Sequence, residues 1–417
     1  MQAVVDAISQ EPLERTVRTL AAFPTRHTLS GANGVDAAAD WLYREFQGIS
    51  RESGGRLQVE KDTWVQPAGR RLEADTPMTN VVATLPGTET PERIVVVSGH
   101  YDSRVTDVMD AKSRAPGAND DASGVAVVLE LARQMARHSY PCTVVFAAVT
   151  GEEQGLYGST HMAQTFAEQK KQVIAMFTND IVGNSRGENG VRENRRLRVF
   201  SAGYDPTETP GEASRRRAWG TDAETASRTL ARAAADAVRR YLRGFELALV
   251  YRNDRYGRGG DHTPFVAQGY AACRFTEMNE DWRHQHQDLR TENGVVYGDL
   301  PEYVDYAYLK RVAQANAAIV AELASAPPSP ARVLLKGDLS PNTTLTWRKG
   351  EGATPSAGYE VLWRKTTAAD WEGKKVLDAA ATSVVLPLSK DDYLFAVRAV
   401  GQNGARSLPT IPVGGGG

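Results

Sequence analysis

Val95-Val-Val-Ser-Gly-His100-Tyr-Asp102 is a short apolar run that ends in an imidazole and a carboxylate. An apolar run of this length, without alternation, is typical of a strand that is buried on both faces of its sheet. In open α/β sheets, ligands bind beyond the carboxyl ends of the strands, where the loops converge. The stretch therefore predicts a helix-covered sheet with a functional edge at His100.

The same kind of run recurs along the larger part of the chain. Further strand-like segments lie at residues 80–85, 94–98, 143–149, 173–177, 198–201, 247–251 and 271–275. Helical periodicity covers residues 123–138, 159–171 and 222–242, and a final helix is expected at about 300–324. Thr221-Asp-Ala-Glu224 resembles a capping box at the start of the third helix. This alternation predicts an α/β fold, a three-layer domain whose mostly parallel, mixed central sheet is flanked by helices.

The composition changes at Ser325-Ala-Pro-Pro-Ser-Pro330, which is typical of a stiff linker. We place a first domain at residues 1–325, the linker at 326–330, a second domain at 331–413 and a glycine tail at 414–417. Beyond the linker, alternating strands are predicted at 333–335, 343–347, 359–364, 374–377, 383–387 and 393–400. Close spacing with Gly, Asn and Asp turns predicts an all-β sandwich, with Trp347 and Trp363 in its core.

Bulk composition excludes several classes of protein. The 417 residues carry a formal net charge of −2, so we expect neither nucleic acid nor an anionic membrane as a partner. Met1 to Pro24 lacks the apolar core of a signal peptide. The two cysteines, Cys142 and Cys273, lie in strand-like stretches, and we expect buried free thiols.

Acids and histidines follow several of the predicted strands. Asp120 lies in a Gly/Asp loop that opens a helix, the Glu152-Glu153 pair ends one strand, and Asp180 ends another. Two histidines and an aspartate follow in Arg283-His-Gln-His-Gln-Asp288. The carboxyl ends of these predicted strands converge on one edge of the sheet. The carboxylates that follow them would therefore repel one another unless cations lay between them. Imidazole and carboxylate without thiolate suit zinc or a similar divalent ion.

The chain resembles the family of co-catalytic two-zinc aminopeptidases, which includes the bacterial leucine aminopeptidases. Its more remote relatives are glutamate carboxypeptidase, the transferrin receptor and the glutaminyl cyclases. The resemblance runs from about Asn80 to Leu323. It rests on His100-Tyr-Asp-Ser, Asn119-Asp-Asp-Ala-Ser-Gly, Gly151-Glu-Glu-Gln-Gly-Leu-Tyr-Gly-Ser, Asn179-Asp, Gly260-Asp-His-Thr-Pro-Phe and His284-x-x-x-Asp288. Separately, residues 393–400 resemble the last strands of a fibronectin type III domain.

The resemblance implies two zinc ions per chain, held by five side chains. Asp120 corresponds to the carboxylate that bridges both ions; His100 and Asp180 complete one site, and Glu153 and His284 the other. For the last ligand, His262 and His286 compete with His284. The spacing of four residues before Asp288 favours His284, and His262 is expected to border the substrate pocket.

Two further roles follow from the same resemblance. Glu152 corresponds to the general base, and Asp102 to the acid that orients the His100 ring. The family also has a cis peptide bond after the bridging aspartate, here between Asp120 and Asp121.

The function implied is that of a metallo-exopeptidase, an aminopeptidase that cleaves the first peptide bond of substrates with a free N-terminus. A carboxypeptidase or dipeptidase on the same scaffold is the alternative, although the sequence shows no evident cationic clamp for a substrate carboxylate. A one-zinc glutaminyl cyclase-like enzyme and a non-catalytic receptor or adhesion ectodomain are disfavoured because every candidate ligand and Glu152 are present. A secreted or periplasmic location is implied by the family alone.

Overall fold

A computed structural model describes residues 1–352 and 356–415 of the chain. Within these ranges, no helix combines the length and apolar character needed to cross a membrane. The α-helices are α1 (Gln2–Ala7), α2 (Gln10–Ala22), α3 (Val35–Glu52), α4 (Ala122–Met135), α5 (Glu152–Gly155), α6 (Tyr157–Glu168), α7 (Pro210–Ala218), α8 (Ala226–Tyr241), α9 (His262–Ala267) and α10 (Tyr306–Ser325). Short 3₁₀ turns lie at Gly31–Asn33 and Pro301–Tyr303.

The strands fall into a first group, which precedes α10, and a second group, which follows it. The first group is β1 (Gln58–Gln66), β2 (Thr76–Leu85), β3 (Thr90–His100), β4 (Cys142–Val149), β5 (Gln172–Asn179), β6 (Arg196–Ser201), β7 (Glu246–Val250), β8 (Ala272–Glu277), β9 (Arg290–Glu292) and β10 (Val295–Tyr297). The second is β11 (Ala331–Lys336), β12 (Thr343–Arg348), β13 (Ser356–Lys365), β14 (Gly373–Asp378), β15 (Ser383–Leu386), β16 (Tyr393–Gly401) and β17 (Val413–Gly415).

The central sheet has eight strands in the order β1-β2-β4-β3-β5-β8-β6-β7. Its middle is parallel, because β3 runs parallel to β4 and β5, and β5 to β8. The pairs β1–β2, β2–β4 and β6–β8 are antiparallel, and the edge pair β6–β7 is parallel. The predicted mixed, mostly parallel centre is confirmed, and the carboxyl ends of β3, β4 and β5 meet at one edge.

Helices cover both faces of this sheet. One face packs on a core shared with α2, α3, α4, α8 and α10, and the other on a smaller core shared with α6 and α9. Every residue of β4 is buried, as expected for a strand between two helical layers. The three-layer α/β prediction is therefore confirmed.

The structure contains elements that were not predicted, among them α1, α2 and α3, and it differs from the predictions in local details at α8 and β1. Helix α8 begins after Thr225, whose side chain accepts a hydrogen bond from the Arg228 backbone N–H, so Thr221 is not its cap. Strand β1 was not predicted because most of its exposed residues are charged or polar and none of its residues is fully buried. It lies at the edge of the sheet, where such a composition is tolerated.

The C-terminal segment forms two facing sheets, ordered β15-β12-β11-β17 and β14-β13-β16. They share an apolar core that includes Trp347, while Trp363 is half-buried at its margin. The predicted all-β character is confirmed, and the likeness to fibronectin type III stays a prediction. Within the predicted glycine tail, Gly414 and Gly415 belong to β17, and residues 416–417 lie outside the described residues.

The sandwich is docked on the larger domain through buried charged side chains. The Arg398 guanidinium contacts Glu360 in its own sheet at 2.6 Å and Asp236 of α8 at 2.7 Å. Arg364 of β13 pairs with the buried Glu224. The segment predicted as a linker is itself packed, since Ala326 is buried and its carbonyl accepts a hydrogen bond from Arg93 at 3.0 Å.

Glu360→Gln is expected to destabilise this arrangement in a pH-dependent way. Burial alone would raise the pKa of Glu360, but Arg398, Lys374 and Arg406 lower it from 4.5 to about 2. A carboxylate with a lowered pKa stabilises the fold above its unfolded pKa, and this contribution is lost as pH falls from 4.5 toward 2. The free energy of unfolding should fall by about 1–3 kcal/mol at pH 7. Urea unfolding at several pH values measures the free energy of unfolding. A difference between variant and wild type that persists at pH 2, or an equal loss in the exposed Asp391→Asn control, would contradict the prediction.

The two cysteines lie in the middle of the central sheet, in β4 and β8. Both are buried and free, as predicted. Burial raises the pKa of each thiol. Neither is therefore a reactive thiolate at neutral pH.

Candidate metal centre

Two groups of acid and imidazole side chains lie at the carboxyl edge of the sheet. One consists of His100, Glu152 and Asp180, and the other of Asp120, Glu153 and His286. Within each group the potential ligand atoms all lie within 4.8 Å of one another. The sheet topology produces this arrangement, because β3 ends at His100, β4 leads into α5 with the two glutamates, and β5 ends just before Asp180.

Asp120 belongs to the second group and also contacts the first. Its Oδ1 is 3.1 Å from Nε2 of His100, and its Oδ2 is 2.8 Å from Nε2 of His286. The peptide bond that follows it, Asp120–Asp121, is cis, which confirms the implied geometry. Asp120 is thus in contact with an imidazole from each group, as the bridging position requires.

The loop around Asp120 is held by carboxylates that are not in either group. Asp121 caps α4 by accepting from the Gly124 backbone N–H at 3.0 Å, and it also accepts from the backbone N–H of His100. Gly124 is required there, since a Cβ would lie 2.2 Å from the carbonyl oxygen of Asn179. Asp299 accepts from the backbone N–H of Asp120 at 2.7 Å, and burial raises its pKa to about 7. Sequence reasoning missed Asp299, which no motif marks.

Asp102 lies where an orienting acid belongs. Its Oδ1 is 3.5 Å from Nδ1 of His100, and the carboxylate accepts from the backbone N–H groups of Glu152 and Glu153 at 3.3 and 3.1 Å. It is fully buried. Asp102 therefore holds the imidazole through its backbone carbonyl oxygen, 3.1 Å from Nδ1 of His100, and holds the turn that presents the two glutamates through its carboxylate.

The structure does not place His284, the predicted ligand, in the cluster. Its ring stacks on Tyr303 at a centroid distance of 3.7 Å, and its Nδ1 lies 3.2 Å from the carbonyl oxygen of Gly298. His286 takes the expected position instead, 3.0 Å from Oε1 of Glu153. The physical reason is a left-handed backbone at His286, with φ of 54°, in the turn that follows β8. A count of residues to the next aspartate does not detect such a turn.

His262 is also away from the cluster. It is fully buried, and its Nε2 lies 2.7 Å from the carbonyl oxygen of Asn253. It is not among the residues that line the pocket at the two groups, so its predicted place beside the substrate is not what the structure shows. It supports the loop that carries Asp254 instead, with Nδ1 4.0 Å from that carboxylate.

Charges around the groups favour ionised carboxylates at two positions. Burial would raise the pKa of Asp120, but His286 and His100 hold it well below its ordinary value. Burial likewise opposes ionisation of Asp180, and Arg274 at 2.8 Å lowers its pKa. Sequence reasoning missed Arg274, although an arginine inside the buried strand β8 is a signal that a buried acid lies nearby.

Glu152 differs from these acids. It is half-buried at the mouth of the cluster, and burial raises its pKa well above the ordinary value. Its carboxylate belongs by distance to the group with His100 and Asp180. It was predicted as a general base and not as a ligand, and its position suits a group that exchanges protons beside an ion.

The residues present fit a pair of divalent cations. The buried atoms Nε2 of His100 and Oε1 of Glu153 make no hydrogen bond within the described structure, although charged partners lie 3.1 and 3.0 Å away. Buried polar atoms normally have such partners. Carboxylates this close to one another need intervening positive charge, and imidazole with carboxylate oxygen is a donor set that zinc accepts.

The two groups open into a pocket of about 510 Å³. Paired groups of acids and imidazoles at the carboxyl edge of a mixed α/β sheet are typical of metal-dependent hydrolases. The chain belongs to Peptidase family M28, whose family model matches residues 80–294. The predictions of a peptidase, and of a relationship to the co-catalytic aminopeptidases, are thereby confirmed.

Similar proteins agree with this assignment. A probable zinc metalloprotease of Leptosphaeria maculans is 45% identical over 100% of this chain and 97% of its own length. The fold is similar to that of a zinc aminopeptidase from Bacillus subtilis, with a TM-score of 0.54 and 14% identity over 76% of this chain and 96% of that one. It is also similar to that of a glutaminyl cyclase from Fimbriiglobus ruber, with a TM-score of 0.53 and 18% identity over 75% and 95% of the two chains.

Proposed function

We propose that this protein is an aminopeptidase with two zinc ions per chain. The observation that carries the proposal is the position of Asp120, in contact with one imidazole of each group. His100 and Asp180 would hold one ion, Glu153 and His286 the other, and Asp120 both. The zinc metalloprotease relative at 45% identity supports the choice of metal.

The chain's own residues would share the chemistry as follows. Zinc ions held there would lower the pKa of a water molecule and polarise the peptide carbonyl group. Glu152, at the mouth of the cluster, would accept a proton from water and return it to the amine that leaves. Asp102 keeps His100 in its ligating orientation. The α-ammonium group of a substrate would lie near Glu152, the half-buried acid at the mouth of the cluster.

A carboxypeptidase or dipeptidase on the same scaffold is the second candidate. The sequence argument against it was the lack of an evident cationic clamp, yet the structure places arginines at the walls of the pocket. A receptor or adhesion role is less well supported, because such a protein has no need of the full ligand set. A location outside the cytoplasm stays a prediction from the family resemblance.

The proposal predicts near two zinc equivalents per chain and strict dependence on a free N-terminus. Elemental analysis after exhaustive dialysis measures the first, and hydrolysis of a peptide with and without an N-acetyl group measures the second. Chelation should abolish turnover, and zinc should restore it. Full activity with one equivalent would contradict the bridging role of Asp120, and unchanged cleavage of the acetylated peptide would favour the carboxypeptidase alternative.

A further inference from the structure

The pocket at the metal centre has a strongly cationic wall. Besides Asp120, Glu152, Glu153, Asp180 and His286, its lining includes five arginines: Arg70, Arg71, Arg104, Arg255 and Arg258. A chain with a net charge of −2 has no general excess of cations to account for this concentration. The arrangement calls for an anion from outside the protein.

One side of the pocket carries Arg70, Arg71 and Arg104. Arg71 donates to the backbone carbonyl of Glu153 at 2.7 Å, and burial together with Arg70 and Arg104 lowers its pKa. Within the described residues, neither Arg70 nor Arg71 forms an ion pair with a carboxylate. Neighbouring cations without a carboxylate in ion-pair contact, such as Arg70 and Arg71, are costly in free energy unless an anion binds beside them.

Arg104 touches the metal ligands themselves. Its Nε lies 3.2 Å from Oε2 of Glu153, and its Nη2 lies 2.7 Å from Nδ1 of His286. An imidazole that binds an ion through Nε2 carries its proton on Nδ1 and cannot accept a hydrogen bond there. Ion binding would therefore leave an N–H group of Arg104 without its protein acceptor, at the edge of the reaction site.

The other side of the pocket carries Arg255 and Arg258, and it is also cationic on balance. Both contact Glu280, at 3.0 and 3.2 Å, but that carboxylate is shared with Arg198 at 2.8 Å. Arg255 also contacts Asp254, which is shared with Arg274. Arg258 lies over the exposed ring of Trp282, which leaves part of its guanidinium open to the pocket.

The acids of the pocket do not cancel these cations. Asp120 and Glu153 contact His286, and Asp180 contacts Arg274, so the carboxylates of the cluster already have partners within it. Divalent ions at the two groups would neutralise them further. The charge that remains for a substrate to meet is then positive.

We propose that the arginines bind a carboxylate of the substrate, so that the enzyme prefers short peptides with a carboxylate near the cleaved bond. The planar guanidinium fork suits carboxylate recognition. The carboxylate has two possible sources, an Asp or Glu side chain next to the cleaved bond or the C-terminal carboxylate of a di- or tripeptide. This inference rests on the proposed peptidase function and names its substrate class.

Matched substrates distinguish between the two sources of the carboxylate. The pairs Glu-Ala-amide and Gln-Ala-amide vary the first side chain, Ala-Glu-amide and Ala-Gln-amide the second, and Ala-Ala and Ala-Ala-amide the C-terminus. At least one acidic member should exceed its neutral partner about tenfold or more in kcat/KM, because a hydrogen bond to a charged group discriminates by that order. The advantage should shrink with salt. Hydrolysis of the neutral peptides without any such preference would overturn the inference and leave the peptidase proposal standing, whereas no hydrolysis of any peptide would count against both.

Arginine variants test whether the arginines of the pocket wall bind the substrate carboxylate. Arg70→Gln and Arg258→Gln should each raise KM for the preferred carboxylate substrate several-fold more than KM for its neutral partner, and Arg70→Lys should retain most of the preference. Arg15→Gln, on the exposed face of α2, is the matched control. Calorimetric titration of the zinc-loaded protein with glutamate, glutamine and glutamine amide, which differ by one carboxylate at a time, gives a readout independent of turnover. Equal binding of the three compounds together with unchanged KM values in both glutamine variants would show that the arginines do not recognise the substrate.

Discussion

Glu152→Gln is expected to lower kcat by roughly 10²–10⁴-fold, the usual range for loss of a general base. The amide keeps the shape of the side chain but has no basic oxygen that takes up a proton. The half-buried carboxylate lies at the mouth of the cluster, within 4.8 Å of potential ligand atoms of His100 and Asp180. Zinc content and KM should stay near the wild-type values. Steady-state kinetics and elemental analysis on the same preparation measure both quantities.

The result distinguishes a base from a ligand. Glu73→Gln, an exposed acid in the loop before β2, controls for the loss of one negative charge. Glu153→Gln should instead lose part of the metal, because Oε1 of Glu153 is a buried atom that lacks a hydrogen bond within the described structure. If Glu152→Gln loses zinc and recovers its specific activity when zinc is restored, the roles of the two glutamates are exchanged and the proposed proton transfer is wrong.

Sequence patterns predicted the buried strands at the centre of the sheet, but not the one-sided helices α2 and α3. Apolar runs such as β4 have few alternative structures, because burial on both faces permits little else. The positions of His100, Asp120, Glu152, Glu153 and Asp180 followed from the convergence of strand ends, and the structure brings these five together. Parallel strands force that convergence whatever the details of the loops.

Side chains placed by loops were beyond sequence reasoning. His286 reaches the cluster only through a left-handed turn, and Asp299 acts from a loop that no local pattern marks. The arginines of the pocket come from separate loops, at residues 70–71, 104 and 255–258, so no single stretch shows a cationic clamp. The docking of the sandwich likewise depends on single charged pairs, such as Arg398 with Asp236, which alternation cannot predict.

His286→Ala should remove about one of two zinc equivalents and nearly all turnover. Its Nε2 lies 2.8 Å from Asp120 and 3.0 Å from Glu153, so its loss opens the second group while His100, Glu152 and Asp180 stay together. Residues that only support a ligand typically matter by about 10–100-fold in metal affinity or activity, so a ligand itself should cost at least roughly 100-fold in kcat/KM. Zinc titration with a competing chelator measures the affinity at each site.

His284→Ala is the matched comparison, because it removes an imidazole only two residues away. That ring stacks on Tyr303, and its loss should lower the free energy of unfolding by about 1 kcal/mol without releasing zinc. Thermal unfolding of both variants, with and without excess zinc, separates instability from ligand loss: zinc should raise the melting temperature of His284→Ala as much as that of the wild type, and that of His286→Ala by less. If His284→Ala loses one zinc and His286→Ala keeps both, the turn after β8 is misplaced and the original spacing argument from Asp288 is correct.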